Sequence, residues 1–334
     1  MKKRTICACC VLLLLLSLFP VRTAQAREPV SLTSQAAVVI DYESGEILYS
    51  QNMDIPLIAA SLTKLMTAYI LFEEIAAGNL TEETLISVSP HVVHISTEID
   101  HRAPFSEGAS YTVDTFFKLI FLPSSNAATI AVAEYISGTE EAFVTRMNET
   151  AQRLDMNAQY ETAHGLWGDN LKSAYCVAIL TKNLIQTHPA VLAYSSLESF
   201  RFYDTEYSNI NRLIFDSEEI DGFKTGATAT AGYCLATTAY RGGQRIIAVT
   251  MNAPSRDDAF ADSQALLDYG FAVLEYHNAA ITPDDTPPDE PAQVTEVFHL
   301  HVWIVAAIIG IIAVVIGIGI FVVVRSVFRK GEEQ

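Results

Sequence analysis

IAASLTKLMTAY, Ile58 to Tyr69, sets Ser61 three residues before Lys64 inside a run that is otherwise small and apolar. A charged amine on an apolar helix face is costly unless it is paired, solvated or neutralised. Leu62, Leu65, Met66, Tyr69, Ile70 and Phe72 recur at helical spacing, which predicts a helix from about Ser61 to Ala77. One turn of that helix puts hydroxyl and amine on the same face, with Cβ atoms about 5–6 Å apart. An uncharged lysine there accepts the serine's proton, and burial plus a second nearby cation favours the uncharged form. A polar pair at a helix edge has the same four letters, so the rest of the chain must decide.

Two further motifs follow in order. Ser124-Ser125-Asn126 comes after Pro123 and opens a second helix. By itself this reads as an N-cap after a helix break. Lys224-Thr225-Gly226 falls on a strand pattern, where an amine beside a hydroxyl offers a carboxylate two donors and the glycine lets a ligand backbone approach. An exposed edge-strand lysine with a turn glycine is the plain alternative. S-x-x-K, S-x-N and K-T-G on helix, loop and strand form the pattern of penicillin-interacting serine enzymes. In that pattern Lys64 is the proton acceptor and Lys224 the second cation that keeps it neutral. The set calls for no metal and no cofactor.

Around these motifs the chain alternates between two periodicities. AAVVIDYESGEILYS, residues 36–50, reads as a β-hairpin turning around Glu43 to Glu46. Residues 80–112 read as irregular and polar. Helices are predicted on either side of Pro123, over 140–156 and over 172–187. From Ile220 onward DGFKTG, AGYCLATTAYRGG and QRIIAVTMNAP read as three strands, the last two joined at Arg241-Gly242-Gly243. A helix from Asp257 to Tyr276 closes the domain. Strands at both ends with helices between predict one α/β (α+β) unit whose first and last strands share an antiparallel sheet.

The two ends of the 334-residue chain account for much of its 50% hydrophobic content. Lys2-Lys3-Arg4, an apolar run from Cys7 to Phe19 and Ala24-Gln25-Ala26 make a signal peptide over residues 1–26. Val302 to Val324 is an uncharged run of 23 residues followed by Arg325, Arg329 and Lys330. It is long enough to span a bilayer, with its basic end on the cytoplasmic side. The expected organisation is a catalytic domain over 27–280, a proline-rich acidic linker over 281–298, a transmembrane helix over 299–325 and a cytoplasmic tail over 326–334. Trp303 would anchor the span at the interface.

Four of the 21 basic residues lie in the signal and no acidic residue does, which leaves 17 basic against 39 acidic residues and a formal net charge of −22. That balance argues against a nucleic-acid partner. Cys7, Cys9 and Cys10 leave with the signal. Cys176 and Cys234 remain; they could form one disulfide, but two separate buried thiols are the preferred reading.

The ectodomain, about Pro29 to Tyr276, resembles the low-molecular-mass penicillin-binding proteins that are D-alanyl-D-alanine carboxypeptidases, peptidase family S11. SLTKLMTAY, YTVDTFFKLIFLPSSNAA, AHGL, NINRLI, DGFKTGATATAGYCLATT and DSQALLDYGF carry the resemblance in the family's order. It implies a β-lactamase/transpeptidase-like fold, with an antiparallel sheet flanked by helices plus a helical subdomain. It also implies roles. Ser61 would attack the carbonyl between two terminal D-alanines of a peptidoglycan stem peptide. Lys64 would be the base, and Ser124 would relay the proton to the leaving D-alanine. Asn126 would orient Lys64 and the substrate amide. Lys224 and Thr225 would hold the terminal carboxylate beside Gly226, and the amides of Ser61 and Ala227 would form the oxyanion hole. β-Lactams would acylate the same serine, and the anchor helix would have the lipid bilayer as partner.

Four positions depart from the family pattern: Ala127, Tyr175, Ala227 and Ala259. They leave nucleophile and base intact and keep two rivals in view. A β-lactamase would need a group that activates water, and Glu161 lies in the right interval. A weakly active or inactive wall-binding protein would keep the pocket without turnover. His91, His94 and His101 read as surface histidines rather than a zinc site. His164 belongs to the AHGL loop, and Glu73 and Glu74 read as solvated.

Overall fold

The computed structural model describes residues 30–281. The expected signal peptide, nearly all of the linker, the membrane span and the tail lie outside the described residues. Among the described residues no helix is long and apolar enough to cross a membrane.

Five strands form the central antiparallel sheet: β1 (Ala36–Asp41), β2 (Ile47–Gln51), β3 (Ile220–Thr228), β4 (Gly232–Arg241) and β5 (Gln244–Ala253). Their order is β2-β1-β5-β4-β3. Ala36 lies opposite Met251 and Asp41 opposite Ile246, so the first and last strands are neighbours, as the strand patterns predict. All of β1 is buried, because it is covered on both faces. Its alternation divides the core in two. Ala36, Val38 and Ile40 join the larger cluster, while Ala37 and Val39 join the smaller.

Helices cover the two faces. The main ones are α1 (Lys64–Ala76), α2 (Val113–Phe121), α3 (Asn126–Ser137), α4 (Glu140–Arg153), α5 (Ala174–Thr187) and α6 (Arg256–Ile281). Apolar residues of α1 to α5 belong to the larger cluster, where Phe72 stacks on Phe117 at 4.2 Å and Phe117 meets Tyr194 at 4.7 Å. Each aromatic ring so buried contributes about 1.5–3 kcal/mol relative to exposure. α6 covers the opposite face with Phe260, Leu266, Leu267 and Phe271. Gly270 lets it come close, since a Cβ there would stand 2.9 Å from both Ile246 Cδ1 and Val39 Cγ1. The Asp262 carboxylate on α6 also ties down the approach to β1, accepting from Ser34 N at 2.7 Å and Ser34 Oγ at 2.6 Å.

Two local expectations need correction. The first helix does not begin at Ser61: Ala60–Thr63 is a 3-10 turn and the α-helix starts at Lys64. The tighter turn matters, because residues i and i+3 eclipse in it. Residues 80–112 are not simply irregular and polar. They hold a two-stranded pairing of Leu85–Ser87 with Ser110–Thr112, a short helix Pro90–His94 and a π-helical turn Ile95–Asp100. Ile86, Val92, Ile95 and Phe105 from this stretch are buried in the larger core. These apolar residues are too sparse to give a helical or strand period.

Candidate active site

Ser61 sits in the 3-10 turn, and the backbone before it is unusual, with Ala60 at φ 48°. Two glycines allow the packing around that turn. Gly226 on β3 has no room for a side chain: a Cβ would lie 2.9 Å from Ala59 O and 3.1 Å from Ser61 N. Gly165 of the AHGL loop, at φ +78°, would clash with Ala60 O at 2.0 Å. Strand, turn and loop therefore close on the serine from two sides.

Lys64 is wholly buried. Its Nζ donates to Ser61 Oγ at 2.9 Å, Asn126 Oδ1 at 2.7 Å and the His164 carbonyl at 2.8 Å. No carboxylate touches it. Burial is the main cause that pushes its pKa down to about 7; Arg102 lowers it further, while Asp100 and Glu140 hold it up. The cost posed by a charged lysine in an apolar run is thus met by partial neutralisation at three neutral acceptors.

Ser124 is held at φ 62°, in the left-handed region where a non-glycine residue costs about 1–3 kcal/mol. The flanking bonds hold it there. Ser125 N donates to Leu119 O at 2.9 Å, and Arg102 Nη1 donates to Pro123 O and Ser124 O, each at 3.3 Å. Ser125, not Ser124, is the helix cap, accepting from Ala128 N at 3.2 Å. Capping and site thus coexist in the S-x-N motif, on adjacent residues. Ser124 Oγ accepts from Lys224 Nζ at 2.8 Å, and Lys224 also donates to Thr225 O at 3.0 Å. Lys224 is wholly buried, and its pKa is lowered well below the usual lysine value, first by burial and then by Lys64 and Arg102. Its two hydrogen-bond acceptors, Ser124 Oγ and Thr225 O, are neutral, so the site supplies this amine with no counter-charge.

Ser61, Ser124, Thr225, Gly226 and Ala227 line a cleft of about 500 Å³ together with Arg102, Tyr233, Arg256 and Ala259. Lys64, Asn126 and Lys224 are buried behind it. The seven residues of the three motifs and Ala227, which the resemblance adds, are therefore brought together. Of the departing positions, Ala227 and Ala259 line the cleft, Ala127 is buried, and Tyr175 donates its N–H to Met53 O.

The sequence reading missed several contributors. Asp100 accepts from both the backbone and the side-chain amide of Asn126, at 2.8 and 2.9 Å. Arg102 borders the cleft. Both lie in the stretch read as irregular, and isolated charges there carry no periodic signal. His164 takes part only through its carbonyl. Its ring is buried with its pKa pushed down to about 3, so its 3.5 Å approach to Glu140 is not an ion pair. Lys172 is a third wholly buried amine, donating to Thr63 Oγ1 at 3.1 Å and lying 4.0 Å from the Tyr160 ring centroid. Burial pushes it down to about 7.

The remaining candidates lie elsewhere. Glu161 is tied within its own loop, accepting from Gln159 Nε2 and Asp169 N, and does not border the cleft. Glu73 and Glu74 are not simply solvated: they pair with Arg153 at 2.8 Å and Arg146 at 2.5 Å. Cys176 and Cys234 are free and buried. His91 and His94 lie on the short helix and His101 follows the π-helical turn. Among the described residues no three His, Cys, Asp or Glu side chains gather as metal ligands would.

A serine hydrogen-bonded to a buried amine, a second serine on a second buried amine and a strand edge beside both define the class of active-site-serine penicillin-interacting proteins. The chain belongs to the D-alanyl-D-alanine carboxypeptidase family, peptidase S11, whose profile matches residues 22–255. Among its relatives, D-alanyl-D-alanine carboxypeptidase DacF of Bacillus subtilis is 32% identical over 73% of this chain and 64% of its own length. D-alanyl-D-alanine carboxypeptidase DacC of Escherichia coli is 32% identical over 78% of this chain and 67% of its own length. The match thus spans about two thirds of these relatives. Penicillin-binding protein 5 from Haemophilus influenzae superposes with a TM-score of 0.71 at 31% identity, covering 73% of this chain and 72% of that one. Penicillin-binding protein D2 from Listeria monocytogenes, solved in its ampicillin-bound form, gives 0.65 at 28% identity, covering 73% and 100%. The fold is that of the penicillin-binding proteins and transpeptidases, as the resemblance implies.

Proposed function

We propose that the protein is a serine D-Ala-D-Ala carboxypeptidase that trims peptidoglycan stem peptides and is inhibited by β-lactams. The observation that carries this reading is the Lys64 amine, buried without a carboxylate and 2.9 Å from the Ser61 hydroxyl. A lysine with a pKa near 7 is half unprotonated at neutral pH and is matched to general-base work.

In this reading the neutral Lys64 takes the Ser61 proton as Oγ attacks the carbonyl between the two D-alanines. The amides of Ser61 and Ala227 stabilise the oxyanion, each donor being worth about 3–4 kcal/mol. Gly226, with no side chain between β3 and the serine turn, lets these amides stand close. The proton passes by way of Ser124 to the leaving nitrogen, the C–N bond breaks, and D-alanine departs. Water then hydrolyses the ester on Ser61, with Lys64 again the base. The terminal carboxylate binds beside Lys224 and Thr225 and supplies the counter-charge the site lacks. Asn126 holds Lys64 and the substrate amide.

The signal sequence and the 302–324 apolar run support placing this domain outside the cytoplasm, on a C-terminal membrane anchor. The test is to incubate the protein with a fluorescent penicillin and with diacetyl-lysyl-D-Ala-D-Ala, beside Ser61→Ala. Covalent label and released D-alanine, both absent in the variant, are expected. Rapid turnover of the penicillin would favour the β-lactamase reading. Label without D-alanine would favour the wall-binding one.

A further inference from the structure

Asp100 closes the π-helical turn Ile95–Asp100, and its side chain is 2% exposed. Its Oδ2 accepts from Asn126 N at 2.8 Å and Ser125 Oγ at 3.2 Å, and its Oδ1 accepts from Asn126 Nδ2 at 2.9 Å. The last contact decides which way the Asn126 amide faces. A carboxylate is acceptor-only, so it takes the NH2 end and leaves Oδ1 to receive Lys64 Nζ at 2.7 Å. Reversed, the amide would set its oxygen against a carboxylate and its NH2 against an amine that is already donating. Arg102, two residues on, comes within 3.7 Å of the same carboxylate and donates to Pro123 O and Ser124 O. One short segment therefore grips both halves of the S-x-N motif.

We propose that Asp100 is a positioning residue: acting through Asn126, it holds the amide in the one orientation that receives Lys64, and with Arg102 it clamps Ser124 to Asn126 against the cleft. The use of that geometry in catalysis rests on the carboxypeptidase reading above. The role cannot be taken by a neutral isostere. An asparagine at 100 presents one acceptor and one donor end to two donors of Asn126.

The charge at 100 acts on Lys64 as well. The groups facing that amine are Ser61 from its own turn, Asn126 from α3, the His164 carbonyl from the AHGL loop, Glu140 from α4, Lys224 from β3, and Asp100 with Arg102. Of the charges around it, Asp100 does most to favour the protonated amine.

The test compares wild type, Asp100→Asn and Asp100→Glu. Lys64 titration is followed by NMR on 13C-labelled lysine, and the rate of acylation by a fluorescent penicillin is measured alongside. In folded Asp100→Asn the Lys64 midpoint is expected to move to lower pH. The acylation rate constant at saturation should fall at least tenfold, with less than a threefold change in apparent dissociation constant, and Asp100→Glu should recover part of both. A folded Asp100→Asn with the wild-type midpoint and the wild-type rate overturns the proposal. So does a loss confined to melting temperature and active fraction, with rate per active site and midpoint unchanged. Should the wild type take no penicillin, the functional reading fails, while the NMR titration still decides the positioning role.

Discussion

Lys224 and Ser124 are joined by a 2.8 Å hydrogen bond between elements a hundred residues apart, and both are buried at the back of the cleft. Removing the hydroxyl leaves Lys224 with Thr225 O alone. Ser124→Ala is expected to lower stability by about 1–3 kcal/mol, the cost of an under-satisfied buried donor. It should also cut penicillin acylation by at least tenfold. Chemical denaturation and stopped-flow labelling measure the two effects separately.

The same buried amine links ligand affinity to protons. Burial and Lys64 depress the Lys224 pKa, and an incoming carboxylate raises it again. Binding of a carboxylate-bearing β-lactam should therefore take up a proton. Its affinity should weaken as pH rises, and calorimetry in buffers of different ionisation enthalpy should detect the uptake. Proton release on binding would contradict this assignment.

If Lys64, with a pKa near 7, is the base as proposed, it should set the acid limb of acylation. Below that value the rate should fall about tenfold per pH unit, because only the unprotonated amine accepts the Ser61 proton. Above it the rate should level off. Lys64→Met should abolish the limb together with most of the rate. A limb that persists in the variant would assign it to another group.

Lys172 gives a stability test without catalysis. Its folded pKa, near 7, lies below the unfolded value of about 10.4. Between these values the unfolded chain binds a proton that the native state does not, so this group makes stability rise with pH across that window, by up to about 1.4 kcal/mol per unit. Below pH 7 both states are protonated and its full penalty applies. Lys172→Met should flatten the rise and add stability most at pH 6. Urea denaturation at pH 6, 7, 8 and 9 reads the slope. An unchanged slope would mean the amine is already neutralised by another route.

Gly226→Ala would place a methyl 2.9 Å from Ala59 O and 3.1 Å from Ser61 N. Overpacking against backbone costs about 1–3 kcal/mol, and acylation should drop ten- to a hundredfold as β3 is pushed from the serine turn. Near-normal labelling would show that the turn can yield.

The sheet and the three motifs were legible because they rest on strong local signals. The short apolar run AAVVID, the turn glycines 242 and 243 and the ordered S-x-x-K, S-x-N and K-T-G each have a mechanism. The segment holding Asp100 and Arg102 was not legible. Its fold is set by Ile86, Val92 and Phe105 meeting a core built from distant elements, and a π-helical turn has no sequence period of its own. Lys172 was missed for a similar reason. It lies in a two-residue pairing with Leu57, and only the closed fold places Thr63 and Tyr160 around it. The start of the first helix was misplaced by three residues, since a 3-10 turn and an α-turn bury the same Leu62 and Leu65.

β1 finds its neighbour β5 only after nearly the whole domain has been made. A chain emerging N-terminus first thus presents AAVVID, apolar on both faces, with its lasting cover still unsynthesised. Such late closure slows assembly, and the waiting edge is a template for mispairing. Truncations ending before Gln244 should accumulate as insoluble material or bound to holding chaperones, so the yield of intact protein depends on how soon the Gln244–Ala253 strand follows the rest.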